Sequence, residues 1–240
     1  KFYFKALRAI LNRANAEGVG SAATYPFGRG GFEVSKLEEA TAKRYLPAAE
    51  LSKLKSATAN NPQCEYARKL FLFSYYCYGI SFIDMAMLTA AHIKQMEDGD
   101  YIVYKRQKIK RQKGVKPISI KITPAIRQLI ESLQAASPTV DDFLLPVVTR
   151  SGYTGERLYM HIRTRYSKYQ KYLRLLAEEL GIDFHLTSYV SRHTAAMTLQ
   201  RNHIPREVIS QMLGHADLET TNVYLDSFDN GVINEAAKVL

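Results

Sequence analysis

The sequence predicts a mainly α-helical chain with one small antiparallel β-sheet, an α+β fold, and three observations support this class. Apolar residues recur at helical spacing in several segments that begin with capping residues. Two short β-like runs flank a basic turn that contains glycine. The chain has 240 residues, of which 46% are hydrophobic, so it is long and apolar enough to bury a core.

The first predicted element is a helix over residues 2–17, because apolar residues follow helical spacing as far as Gly18. Glycines and a proline interrupt residues 19–46, which predicts a linker. We expect residues 47–240 to form the main domain. Since the chain does not begin with methionine, its first 18 residues are interpreted as the last helix of a preceding, truncated domain.

The main domain is predicted to contain two consecutive helices joined by a turn. Asn61 is a good cap and is followed by proline, which predicts a helix that stops at Gly79. Ser81 with Asp84 three residues later resembles a capping box and predicts a second, short helix.

A β-hairpin and further helices complete the predicted domain. β-like runs at residues 101–106 and 115–122 predict the hairpin. Thr123, followed by proline, opens a helix that extends to about Ala136. The last helices are expected at about residues 160–180, 187–201, 205–213 and 218–227.

The chain is basic, and its excess charge is clustered. Lysine and arginine number 33 against 23 aspartate and glutamate, which leaves a net charge of +10. Seven cations fall within twelve residues, namely Lys105, Arg106, Lys108, Lys110, Arg111, Lys113 and Lys116. Such clustering favours a polyanionic partner, DNA or RNA, because neutralised phosphates release counterions.

The absence of export signals in the sequence predicts a cytoplasmic protein. We find no run of about 18 apolar residues and no signal peptide, so a soluble chain with no membrane partner is expected. Cys64 and Cys77 lack C-x-x-C spacing. We interpret both as small buried hydrophobes in a reducing compartment.

Three motifs in the C-terminal third occur in a specific order. They read LTSYVSRH at residues 186–193, LGH at residues 213–215, and a tyrosine, Tyr224, nine residues after that histidine. This pattern resembles the tyrosine recombinase (phage-integrase) family, which reads L-T-x-H-x-x-R-H, then L-G-H about twenty residues later, then tyrosine. Residues 36–54 resemble the entry to its catalytic domain, and the first helix resembles the end of its core-binding domain.

The resemblance implies an enzyme that cuts and rejoins double-stranded DNA through a 3′-phosphotyrosyl intermediate. Tyr224 would be the nucleophile, and Arg192 and His215 would contact the scissile phosphate. Fixed cationic donors suit this reaction because the transition state gathers negative charge on the non-bridging oxygens. No Asp/Glu cluster suited to a two-metal nuclease lies near these residues, so no metal ion or other cofactor is expected.

The resemblance also implies a lysine on the hairpin that protonates the departing 5′-oxygen. Lys108, directly after the first β-like run, is our assignment, and Lys113 is the alternative. Lys105, Lys110, Arg111 and Lys113 are expected to bind DNA phosphates.

Two positions depart from the family pattern. Ser81 stands where the motif T-G-x-R-x-x-E has the first catalytic arginine, and Tyr189 replaces the first histidine of H-x-x-R. The Tyr189 hydroxyl can still donate a hydrogen bond to the scissile phosphate, so we expect it to contribute to the site. Integrases of Bacteroides-group mobile elements resemble this sequence in such departures, which favours an active enzyme. Arg106 is predicted to restore part of the missing charge, because Arg106 and Lys108 would share one face of a regular strand. Contact with backbone phosphates is the alternative role for Arg106.

Other interpretations of the C-terminal residues remain open. Residues 204–224 could form a helix-turn-helix in a non-catalytic DNA-binding protein, and a type IB topoisomerase would share the chemistry of cleavage. Residues 230–240 carry an apolar helical stripe. Recombinases of the family pass such tails to a neighbouring subunit in a DNA-bound tetramer, whereas packing on its own domain is the alternative.

Overall fold

The structure is a computed structural model that describes residues 2–28, 30–37 and 45–215, together with Thr221 and Leu225. This part of the chain contains eight α-helices and one three-stranded antiparallel sheet. The predicted fold class is therefore confirmed. Apart from Thr221 and Leu225, the predicted helix over residues 218–227 lies outside the described residues, as does the apolar tail.

The chain forms two compact units, Lys1–Ala42 and Lys43–Leu240. The first unit contains helix α1 (Phe2–Ala16), which ends within one residue of its predicted end. Two short 3-10 helices, Ala22–Thr24 and Val34–Leu37, lie within the stretch predicted to be a linker. The assignment of this unit to the end of a preceding domain stays a prediction.

The second unit begins with three helices. They are α2 (Ala48–Ser56), α3 (Pro62–Tyr76) and α4 (Phe82–Ala86). Both predicted caps are confirmed, since Asn61 accepts a hydrogen bond from the Gln63 amide and Ser81 accepts one from the Asp84 amide. Helix α2 is absent from the sequence-based prediction.

A three-stranded antiparallel sheet follows, in the order β1-β2-β3. Its strands are β1 (Ile93–Met96), β2 (Gly99–Tyr104) and β3 (Ile118–Lys121). Ile102 pairs with Ile93 on one side and with Ile120 on the other, and Ile102 and Ile120 are fully buried. The predicted hairpin is confirmed, whereas β1 is a mostly exposed edge strand that the sequence pattern does not indicate.

The hairpin connection differs from the prediction at its start. Strand β2 ends at Tyr104, so Arg106 and Lys108 lie beyond the last paired residue. The prediction that these two residues share one face of a regular strand is therefore wrong. The physical reason is that the Gln107 amide donates to the carboxylate of Asp84 instead of to a strand partner.

Four further helices complete the described part of the second unit. They are α5 (Pro124–Ala136), α6 (Gly155–Glu179), α7 (Val190–Arg201) and α8 (Arg206–Leu213). Helix α6 begins about five residues before its predicted start, and α7 begins three residues after its own. Helix α3 packs against α5, α6 and α7, and its Leu70, Phe71 and Phe73 are buried at the centre of the core. None of the described helices combines the length and the apolar character that crossing a membrane requires.

The two cysteines are buried free thiols, as the sequence predicts. Burial raises the pKa of both the Cys64 and the Cys77 thiol. Neither thiol is therefore poised to act as a nucleophilic thiolate near neutral pH.

Candidate active site

The candidate active site is centred on Arg192, which lies near the N-terminal end of α7 and is only 3% exposed. Its Nη1 atom donates to the Gly79 carbonyl at 3.1 Å, and its Nη2 atom donates to the Leu213 carbonyl at 2.5 Å. Burial lowers the pKa of Arg192 to about 10, and the nearby Arg106 acts in the same direction. Because this pKa is still far above neutral pH, Arg192 is a buried positive charge, held by the turn after α3 and by the C-terminal end of α8.

A tight turn between α3 and α4 lets the backbone approach Arg192 closely. Tyr78 and Gly79 both adopt the left-handed conformation, with φ of 57° and 71°. A Cβ atom on Gly79 would lie 2.4 Å from Cα of Arg192. The sequence marks Gly79 as a helix stop and as the glycine of the T-G-x-R-x-x-E motif, and this close contact explains why glycine is necessary for the position of Arg192.

His215 contacts Arg192 directly. Its Nε2 atom lies 2.8 Å from Nη2 of Arg192, and its Nδ1 atom lies 2.7 Å from Oγ1 of Thr221. A guanidinium nitrogen can only donate, so Nε2 accepts in this contact and the ring proton is assigned to Nδ1. Thr221, which is fully buried and to which the sequence assigns no role, thereby fixes the orientation of the imidazole.

Arg106 lies beside the same group of residues, although it follows β2 rather than forming part of it. It is half-buried, and its Nη1 atom donates to the carbonyl of Gly214, directly before His215, at 3.4 Å. Its charge contributes to the lowered pKa of Arg192. The structure thus brings two guanidinium groups and one imidazole together.

Asp84 and Ser81 form a second polar contact, which reaches the backbone of Gln107, the residue after Arg106. Asp84 is 3% exposed, and its Oδ2 atom accepts a hydrogen bond of 2.6 Å from Oγ of Ser81. Its Oδ1 atom accepts one of 2.7 Å from the Gln107 amide. The sequence indicates a capping pair at Ser81 and Asp84, but the bond to Gln107 spans 23 residues and has no local signal.

A cleft of about 420 Å³ opens beside Arg192. Ser81, Arg106 and Arg163 line it together with Arg192, and sequence reasoning did not identify Arg163. Apolar and aromatic side chains form most of the rest of its wall, including Phe82, Ile83, Tyr159, Ile162, Tyr166 and Tyr189. Tyr189, predicted to contact the phosphate, is 51% exposed on this wall, and its ring packs edge-on against His193.

The predicted hairpin cations lie on the connection between β2 and β3. Exposed side chains are found at Lys105, Lys108, Lys110, Arg111 and Lys113. Neither Lys108 nor Lys113 lines the cleft described above, and Lys108 is the nearer of the two in sequence to the anchored Gln107. Tyr224, the predicted nucleophile, lies outside the described residues.

Comparison with known proteins identifies the family. A sequence model of the phage integrase family matches residues 44–230. The chain belongs to the phage integrase family. It is 30% identical over 121 residues to the tyrosine recombinase XerD of Brucella abortus biovar 1, over 48% of this chain and 36% of that protein. It is 41% identical over 54 residues to XerD of Halalkalibacterium halodurans, over 22% of this chain and 18% of that protein.

Solved structures share the fold of this phage integrase family member at low sequence identity. The Tn1549 transposon integrase in complex with a circular intermediate DNA has a TM-score of 0.63 at 14% identity, with 98% of this chain and 77% of that chain covered. XerH recombinase bound to its difH substrate has a TM-score of 0.58 at 16% identity, with 98% of this chain and 62% of that chain covered. A lambda integrase dimer bound to a core site has a TM-score of 0.57 at 14% identity, with 94% of this chain and 75% of that chain covered.

Proposed function

We propose that the chain is the catalytic part of a site-specific tyrosine recombinase that cleaves and rejoins double-stranded DNA. The observation that carries this proposal is the direct contact of Arg192 with His215, with Arg106 beside them. A cluster of two guanidinium groups and an imidazole suits a phosphodiester whose charge increases in the transition state. Tyr224, nine residues after His215, has the family's spacing for the nucleophile.

The proposed reaction begins when the scissile phosphate enters beside Arg192. A phosphate oxygen takes the place of His215 Nε2 as a partner of the Arg192 guanidinium, because an anion is the stronger acceptor. The displaced imidazole takes up a proton from solvent at Nε2 and donates a hydrogen bond from it to another non-bridging oxygen. Thr221 still accepts from Nδ1 in this state, so the ring keeps its orientation.

The covalent step exchanges one phosphoester bond for another. The Tyr224 phenol loses its proton to solvent as its oxygen attacks phosphorus, the bond from phosphorus to the 5′-oxygen breaks, and the Lys108 ammonium gives that oxygen a proton. The products are a 3′-phosphotyrosine and a free 5′-hydroxyl. Attack by the 5′-hydroxyl of another strand reverses the step, so no ATP is consumed and no metal ion is needed.

Arg106 takes over part of the role of the arginine missing at position 81. Its guanidinium is half-buried next to His215, whereas Ser81 offers only a hydroxyl to the same cleft. Tyr189, which also lines this cleft, adds a further hydroxyl. The exposed cations of the connection, Lys105, Lys110, Arg111 and Lys113, bind backbone phosphates away from the reacting bond.

We also propose the setting in which the chain acts. Residues 1–18 end a core-binding domain, and 19–46 link it to the catalytic domain over residues 47–240. The working unit is a homotetramer on DNA inside a bacterial cell, at the ends of a mobile element. The likeness to the integrase of the transposon Tn1549 supports this last point.

A pool of short nicked duplexes of randomised sequence tests the function. A recombinase forms protein–DNA adducts that survive denaturation, in excess EDTA, and only on a subset of sequences. A helix-turn-helix protein would shift the pool in a native gel and form no adduct. A type IB topoisomerase would relax supercoiled plasmid without exchanging strands between two duplexes.

A further inference from the structure

Asp84 is a buried carboxylate that none of the chemical steps above uses. It is 3% exposed, and each of its oxygens has one hydrogen-bond donor, Ser81 Oγ at 2.6 Å and the Gln107 amide at 2.7 Å. In the part of the chain that the structure describes, it forms no ion pair with a lysine or arginine. Burial of a carboxylate that accepts only from a serine hydroxyl and a backbone amide costs desolvation free energy, which points to a specific role for the contact.

The hydrogen bond to Gln107 lies where the regular sheet stops. Tyr104 is the last residue of β2 that pairs with β3, so the ladder does not hold the chain beyond it. Gln107 lies between Arg106 and Lys108, and consecutive Cα atoms are about 3.8 Å apart. Displacement of the Gln107 amide therefore moves both cationic neighbours.

We infer that Asp84 is a positioning residue whose carboxylate, oriented by Ser81, holds the segment from Arg106 to Lys108 beside the active site. The inference rests on the proposed function, because that function gives Arg106 and Lys108 their roles. The carboxylate acts through the backbone of Gln107, and it does not itself contact the phosphate.

Ser81 takes part in this arrangement. Its hydroxyl donates to Oδ2 of Asp84 and also accepts from the Asp84 amide at 3.3 Å, which leaves Oδ1 directed to the Gln107 amide. An arginine at position 81 would bring several donors to the same carboxylate and compete with Gln107. The serine at position 81 therefore leaves one oxygen of the Asp84 carboxylate available to bind the Gln107 amide. Through Gln107, this contact fixes the location of the neighbouring Arg106.

Asp84 has a second effect that the test must separate from positioning. Its negative charge raises the pKa of Arg192 and so favours the charged guanidinium. Asp84→Asn removes this charge but keeps an oxygen that accepts from Gln107 and an NH₂ that donates to Ser81. Asp84→Ala removes both the charge and the hydrogen bonds.

The experiment measures the single-turnover rate of covalent product formation on a nicked duplex at saturating DNA. Asp84→Ala is expected to slow this rate by about 100-fold, the effect of an ångström-scale misplacement of reacting groups, while Asp84→Asn keeps most of the rate. Asp141→Ala is the matched control, because Asp141 also accepts from a serine hydroxyl, that of Ser151, and from a backbone amide, that of Gly152, away from the cleft. The control is expected to cleave at the wild-type rate.

Combined variants distinguish positioning from a general loss of structure. If Asp84 acts through Arg106 and Lys108, Asp84→Ala lowers the single-turnover rate by a much smaller factor in an Arg106→Ala or Lys108→Ala background than in the wild type. Should Asp84→Ala fail to fold, Ser81→Ala, which removes one hydroxyl, is expected to show a smaller loss with the same non-additivity.

Four results would overturn the inference: a wild-type rate for Asp84→Ala, equal losses for the Asn and Ala variants, full additivity, or, where the Ala variant does not fold, a wild-type rate for Ser81→Ala. Failure of the wild-type chain to form any adduct would instead contradict the proposed function.

Discussion

Nη2 of Arg192 and Nε2 of His215 lie 2.8 Å apart, although 23 residues separate them in the chain. The contact joins the start of α7 to the turn after α8, where Gly214 adopts a left-handed conformation with φ of 63°. The imidazole accepts from one donor of the guanidinium. A phosphate oxygen is expected to replace it there.

Gly79 should tolerate no side chain, because a Cβ atom would lie 2.4 Å from Cα of Arg192. Gly79→Ala is expected to lower the free energy of unfolding by about 2 kcal/mol or more, and to abolish adduct formation by displacing Arg192. Gly152→Ala is the matched control, since Gly152 has the same φ of 71° and no atom within 4 Å of the added Cβ. Gly152→Ala should lower the free energy of unfolding by only about 1 kcal/mol and leave the cleavage rate unchanged. Equal destabilisation in thermal unfolding would mean that backbone conformation alone, and not the contact with Arg192, decides the effect.

Thr221 is expected to support cleavage through its hydroxyl, which accepts a hydrogen bond from Nδ1 of His215 at 2.7 Å. Thr221→Val keeps the shape of the buried side chain and removes the acceptor, so the single-turnover cleavage rate should fall about tenfold. Thr221→Ser restores the hydroxyl and should recover most of the rate. A serine variant as slow as the valine variant would assign the loss to packing.

The elements predicted correctly are those whose signals are local. Asn61 before a proline fixes the start of α3, and the motif around Arg192 occupies eight consecutive residues at the start of α7 and directly before it. Both signals depend on a few consecutive residues, four of which precede α7 in the second case, so they can be recognised in one sequence.

The errors and omissions have tertiary causes. The end of β2 at Tyr104 depends on the hydrogen bond from Gln107 to the distant Asp84, which no periodicity encodes. The same holds for Gly79, whose importance comes from the approach of Arg192 across 113 residues. Strand β1 escapes detection because a short exposed edge strand lacks the apolar alternation on which strand prediction relies.

Arg106 is expected to contribute more to cleavage than the other cations of its segment. At saturating DNA, Arg106→Ala should reduce the cleavage rate by about 100-fold, since one transition-state donor contributes about 3 kcal/mol. Lys105→Ala and Lys110→Ala are the controls, because both residues are exposed. They should weaken binding and its salt dependence but change the saturated rate by less than about threefold. Similar small losses in all three variants would leave Arg106 as one more backbone-phosphate contact.

The apolar tail is expected to bind a neighbouring subunit. Deletion of residues 230–240 should weaken the assembly of two DNA sites into one complex more than it weakens binding to a single site, as native gels with one and two labelled duplexes can measure. An equal loss in both assays would indicate that the tail packs on its own domain.

The most direct test of the account is covalent capture of DNA by Tyr224. A nicked duplex that releases a short fragment after cleavage traps the intermediate, and a denaturing gel shows the protein–DNA adduct. The wild-type chain should form the adduct, and Tyr224→Phe should form none while binding the duplex with nearly unchanged affinity, because only the nucleophilic oxygen is removed. An adduct that persists in Tyr224→Phe would contradict the assignment of the nucleophile and with it the proposed mechanism.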